Sequence, residues 1–207
     1  MWLPIILLSF SVHETAHAFV ADKLGDPTAR SLGRITLNPV KHIDLYGFIS
    51  MLLIGIGWAK PVPITARNFK KPRNGMALSA LAGPVSNLLL AAVFCALASI
   101  YSNLIYPIFV TEGNFLALYY IFRFFLYGAL INVSLAVFNM IPAPPFDGSR
   151  ILYVFLPPKA YFKVMKYEQY IGLGIMALFL ICSYIGIDLL GFIVYPIVNG
   201  MLSLFGA

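Results

Sequence analysis

Charge is the scarcest ingredient of this chain. Only 11% of its 207 residues are Asp, Glu, Lys or Arg, against 60% hydrophobic, and the mean hydropathy is +0.87. A soluble domain of this length needs far more charge to cover its surface, so an ordinary water-soluble fold is excluded and an integral membrane protein is indicated. Cysteine is nearly missing too. Cys95 and Cys182 both fall inside apolar runs, which leaves no disulfide framework and no thiolate metal pair; their role there is that of small hydrophobes. Internal repeats, low-complexity tracts and soluble appendages are also lacking, so the chain is expected to form one membrane domain. Histidine occurs three times, and two of the three lie four residues apart inside an apolar run.

Stretches of about 20 apolar residues, enough to span a bilayer core as a helix, recur at 2–22, 76–101, 115–141 and 169–206. The last is long enough for two short spans with a break near Gly186-Ile187-Asp188. The run 45–58 is shorter and suits re-entry or lying in the interface better than crossing. The expected fold class is therefore an all-α polytopic membrane protein with about five transmembrane helices and one re-entrant segment. Two β-branched runs, RITL at 34–37 and PVPIT at 61–65, are bounded by Gly, Pro and Asn, which predicts short strands near the cytoplasmic surface. The proline-bracketed stretch 142–158 predicts a turn carrying Asp147-Gly148, then a short helix. The first run lacks the basic start and small-residue cleavage site of a removable signal, so it is expected to remain in the mature protein.

Thirteen of the fourteen basic residues lie between Lys23 and Arg73 or between Arg150 and Lys166, and the connection 102–114 has none. This is the positive-inside pattern. It places 23–75 and 142–168 in the cytoplasm, with 102–114 and the N-terminus outside. The net charge of +6 is thus a topology signal and implies no nucleic-acid partner. Arg123, the exception, falls in the outer half of its span, where it snorkels outward or pairs internally.

The first span contains His13-Glu14-Thr15-Ala16-His17, an H-E-x-x-H pattern. Residues four apart share one helix face, so both imidazoles can reach a single ion while Glu14 stands beside it. Zinc suits such ligands and in catalytic sites keeps a position open for water, whose proton a carboxylate accepts during attack on a carbonyl. The plain alternative is a polar face lining a pore. Ionisable groups inside a membrane are costly and usually functional, which favours the metal. A third ligand is needed, and the topology brings Asp147 to similar depth on the same side. Glu112 and Asp188 lie opposite; Asp22, Asp26 and Asp44 read as turn and cap residues. Glu168 is the remaining rival, following a solvated basic stretch where pairing with lysine is its ordinary role. His42, beside Asp44 in a loop, reads as local structure.

Taken together, HETAH, LNPVKHID, WAKPVPITARNFKKPR, AGPVSNLLLA and FNMIPAPPFDGSRIL resemble the site-2 protease family of intramembrane zinc metalloproteases, in particular its compact bacterial-type members without a PDZ domain. The matching stretches run from about 11 to 152. The resemblance implies one zinc per chain held by His13, His17 and Asp147, with Glu14 as general base. It also implies substrate or oxyanion contacts for Asn87 and Asn139. Its catalytic core would be about 1–152, with lipid-facing helices over 153–207. The expected activity is cleavage of transmembrane segments of other membrane proteins near the cytoplasmic face of the cell membrane, with lipid and a transmembrane substrate as partners. The family often has Phe or Leu where this chain has Thr15, a non-ligating position, and longer members carry a helix ahead of the zinc-binding one. A divalent-metal transporter using the same His/His/Asp set is the alternative, but transporters show paired half-repeats and broken helices. A catalytically dead scaffold would have no reason to bear the cost of the motif.

Overall fold

The computed structural model describes residues 2–54, 57–111 and 113–206. Its helices are α1 (Trp2–Lys23), α2 (Thr28–Ser31), α3 (Leu45–Ile54), α4 (Pro72–Ile100), α5 (Tyr106–Phe109), α6 (Phe115–Asn139), α7 (Asp147–Leu152), α8 (Pro158–Met165), α9 (Glu168–Tyr184) and α10 (Gly191–Leu204). A π-helical turn over Tyr101–Ile105 joins α4 to α5 in one 38-residue rod, Pro72–Phe109.

These helices are built inside out relative to a soluble bundle. On α4 the buried face reads Gly75, Ser79, Ala80, Gly83, Asn87, Ala91, Cys95 and Ala98, while Leu78, Leu81, Val85, Leu89, Val93 and Leu97 are exposed. Small and polar residues inside let backbones approach closely; large apolar residues outside suit a lipid solvent, which gives them no reason to turn inward. α1, α4 and α6 pack directly on one another, and α10 packs on α4 and α6. Their common core is Ile5, Ala91, Phe94, Cys95, Ala129, Val133, Val194 and Val198. Gly128 of α6 is one hinge of this packing, because a Cβ there would meet the Phe94 ring at 2.4 Å.

Three sequence expectations change. Three helices, α1, the α4–α5 rod and α6, are long and apolar enough to cross a membrane, and α8 with α9 makes a fourth only as one span bent by 60°. Five full crossings are not reached. The chain breaks at Gly186, whose φ of +79° favours glycine, and Asp188 accepts the Gly191 N–H at 2.8 Å. That leaves α10 with 14 residues, about 21 Å, against roughly 30 Å of hydrocarbon. α10 is also not simply lipid-facing, since Val194 and Val198 are 3% exposed within the core.

The expected cytoplasmic-side strands do not form among the described residues; an isolated bridge, Ile43 with Ala59, stands in their place. Pro61 and Pro63 have no N–H to offer a ladder. The N–H groups of Val62 and Thr65 go to Glu14 at 2.9 Å and Asp26 at 2.6 Å, and Arg34 takes the Lys60 carbonyl at 2.6 Å. The expected re-entrant stretch 45–58 opens as α3, and its positions 55 and 56 lie outside the described residues, as does Glu112.

Candidate metal centre

α1 carries His13, Glu14 and His17 near its middle, and all three are buried. His13 is ten residues from the helix end at Lys23, about 15 Å along the axis. The third group arrives from α7. The turn after α6 ends at Phe146, and Asp147 opens the new helix, anchored by Ser149 Oγ donating to the Phe146 carbonyl at 2.7 Å. Gly148 lets this turn sit against the end of α6: a Cβ there would fall 2.5 Å from the Met140 and Ile141 carbonyl oxygens.

The result is a tight triangle. Asp147 Oδ2 lies 3.2 Å from His13 Nε2 and 3.1 Å from His17 Nε2, and the two Nε2 atoms are 2.9 Å apart. Ligands on a tetrahedron with Zn–N and Zn–O bonds of about 2.0–2.2 Å are separated by about 3.3–3.6 Å, so the triangle is a few tenths of an ångström tighter than a zinc-bound set. Each ring is also aimed from behind. His17 Nδ1 donates to the Ser79 carbonyl at 2.7 Å. A carbonyl can only accept, so the Nδ1 is protonated and the Nε2 lone pair faces the triangle. His13 Nδ1 lies 2.6 Å from Asn87 Oδ1. Two nitrogen lone pairs and a carboxylate oxygen pointed at one spot repel one another unless a cation sits among them. The donor set therefore fits zinc, with the outer partners such ligands normally have.

Room for the rings is provided by α4. A Cβ on Gly83 would fall 2.4 Å from His17 Nε2 and 2.5 Å from His13 Cε1. Glu14 points to the 59–65 segment, where its Oε2 accepts the Val62 N–H. Thr15 Oγ1 donates to the Thr36 carbonyl at 2.6 Å, and His42 Nε2 donates to the same oxygen at 2.7 Å, so His42 ties the loop to α1 and stays outside the triangle.

Of the residues expected from sequence, His13, His17 and Asp147 meet, with Glu14 adjacent in α1. Among the described residues they form the cluster able to hold a metal, and Glu168 is not part of it. Asn87 touches the site from behind: Oδ1 faces His13, and Nδ2 donates to Asn132 Oδ1 at 2.8 Å and faces the Ser9 carbonyl at 3.4 Å. Asn139 donates to Leu135 O in its own helix at 3.0 Å. Asp26, Asp44 and Asp188 cap or brace local backbone, and Asp22 pairs with Arg30. Ser79 and Val62 meet the His17 ring and Glu14 through a backbone carbonyl and a backbone N–H, so side-chain identity held no signal for those two contacts, although Ser79 Oγ also donates to the His17 carbonyl at 3.2 Å. Gly83 was legible only as a site of close packing.

A membrane-embedded helical bundle that buries an H-E-x-x-H helix with a converging aspartate defines a membrane metallopeptidase of the zinc type. The profile of peptidase family M50, the site-2 protease family, matches residues 1–182, and the chain belongs to that family. It is 38% identical over 209 residues to YwhC of Bacillus subtilis (strain 168), spanning 98% of this chain and 89% of that protein. Rip2 of Mycolicibacterium smegmatis (strain ATCC 700084 / mc(2)155) shares 30% over 74% of this chain and 56% of its own length. MJ0392 of Methanocaldococcus jannaschii shares 24% over 90% of this chain and 43% of its own length. The names of the first two suggest, and that of the third states, a zinc metalloprotease. No solved structure matches the chain. The protein is accordingly a membrane protein of a zinc metalloprotease family, with Zn2+ as its metal.

Proposed function

We propose that this protein is an intramembrane zinc endopeptidase that cuts transmembrane segments of other membrane proteins near the cytoplasmic face. The convergence of His13, His17 and Asp147 beside Glu14, roughly 15 Å inside a spanning helix, carries this reading. Zinc bound there supplies Lewis-acid activation of water and of the scissile carbonyl. Glu14 takes the proton released in attack and returns it to the leaving amine. Its carboxylate is held in place by the Val62 N–H, so the base is oriented before substrate arrives. A substrate helix keeps its carbonyls in intrahelical bonds and must unwind to be cut. A segment held alongside 61–65 would lie next to Glu14, with backbone pairing of the kind used in strand addition, and the 45–58 stretch that opens as α3 would gate its entry. Asn139, at the end of α6, would then contact the substrate.

Glu14→Gln should retain zinc while slowing cleavage of a membrane substrate by roughly 10²–10⁴-fold. Variant protein cutting as fast as the parent would remove Glu14 from the mechanism. Metal analysis of His13→Ala, His17→Ala and Asp147→Ala should show zinc lost from each. Metal flux into proteoliposomes without proteolysis would replace the protease reading with a transporter.

A further inference from the structure

Asn132 sits in the second half of α6, fully buried, with its side-chain hydrogen bonds going to Gly128 and Asn87. Its hydrogen bonds form one end of a chain across three helices. Asn132 Nδ2 donates to the Gly128 carbonyl at 2.8 Å. Asn132 Oδ1 accepts from Asn87 Nδ2 at 2.8 Å, and Asn87 Oδ1 faces His13 Nδ1 at 2.6 Å. The Gly128 carbonyl can only accept, so Asn132 must turn its NH2 toward it and its oxygen toward Asn87. Asn87 must then offer its NH2 to Asn132 and its oxygen to His13, which can answer only with a protonated Nδ1. The Ser9 carbonyl, 3.4 Å from Asn87 Nδ2, enforces the same polarity. With Asn87 reversed, its oxygen would face two acceptors in a buried site, where each unmade bond costs about 1–3 kcal/mol.

We infer that Asn132 is a positioning residue for the metal centre: through Asn87 it holds His13 in the Nδ1–H tautomer and so aims the Nε2 lone pair at the metal. This rests on the metal reading of the site, but the tautomer can be read without metal. Asn139, seven residues on, bonds within its own helix among the described residues, so this role belongs to Asn132 and is not shared by the face as a whole.

The test uses full-length protein with 15N-labelled histidine, stripped of metal, in detergent at alkaline pH. The chain has only three histidines, so each ring can be assigned by substitution. Parent protein should show His13 protonated at Nδ1. Asn132→Ala should populate the Nε2–H form and weaken zinc binding by roughly tenfold, the lower end of the loss seen when an outer partner of a metal ligand is removed, because Asn87 is freed and not deleted. An unchanged His13 tautomer in Asn132→Ala overturns the inference. So does a metal-free parent with the His13 proton on Nε2, even if Asn132→Ala fails to fold. A parent that binds no zinc would sink the metal reading, while the tautomer comparison would still decide the role of Asn132.

Discussion

A Cβ on Gly83 would lie 2.4 Å from His17 Nε2, well inside any contact a carbon can make. The atom in its way belongs to a ring already held from behind by the Ser79 carbonyl, so the ring cannot swing aside cheaply. Gly83→Ala should therefore cost at least about tenfold in zinc affinity while leaving helicity intact, measured by metal titration of purified protein. Retention of parental affinity would mean that α4 can back away from the histidines. At this scale the histidines, Glu14 and Asp147 were legible because the chemistry constrains residue type and spacing. Asn87 was legible as a polar group in an apolar span, but sequence could not separate a substrate contact from an interhelical hydrogen bond. The structure spends its oxygen on the imidazole and its NH2 on Asn132.

The segment after α1 is tied to the segment ahead of α4 by a brace between residues 24–28 and 65–68. Asp26 is its centre, accepting from Thr28 N–H, Thr28 Oγ1, Thr65 N–H and Asn68 Nδ2. Burial alone would raise its pKa, but these four donors outweigh burial and hold the carboxyl below its ordinary value. A carboxylate with a depressed folded pKa stabilises the fold above its unfolded value, near 4, and loses that contribution as pH falls through the folded value. The melting temperature of the parent in detergent should thus drop as pH falls below about 4. Asp26→Asn should melt lower at neutral pH and change less across that acidic window. An identical acid limb in the two proteins would show that Asp26 does not set it. Between α4 and α6, Gly128→Ala would push a Cβ to 2.4 Å from Phe94. A loss of about 1–3 kcal/mol is expected, read as a lowered melting temperature. Element boundaries were well placed by hydropathy for α1, α4 and α6. The strands failed because β-branched composition was taken without counting donors: two prolines and two N–H groups already committed to carboxylates leave PVPIT little to pair with.

Over the whole molecule, the proposed topology follows from where lysine and arginine fall, and it can be checked without any substrate. In a background with Cys95 and Cys182 replaced by Ala, Gly113→Cys should react with an impermeant maleimide on intact cells. Val40→Cys, at a position 74% exposed, should react only after permeabilisation. The reverse pattern would invert the orientation and put the cleavage side outside. The C-terminal region is a second matter of assembly. Val194 and Val198 complete the core made by α1, α4 and α6, so deleting residues 186–207 should destabilise the bundle even though no ligand lies there. α9, with Cys182 as its buried residue, contributes less to that core.

The amino-acid sequence by itself determined the solvent, the family resemblance and the choice of His13, His17 and Asp147 as candidate metal ligands. Each follows from residue type and short-range spacing: apolar length against bilayer thickness, four residues against the helical turn. Tertiary structure decided what depends on distance across helices. It brought Asp147 to within 3.2 Å of both imidazoles, gave Glu14 a backbone partner in Val62, and linked Asn132 to His13 through Asn87. Those contacts are set by which faces pack and by which carbonyls are left to accept, and neither is written in the order of residues along one chain.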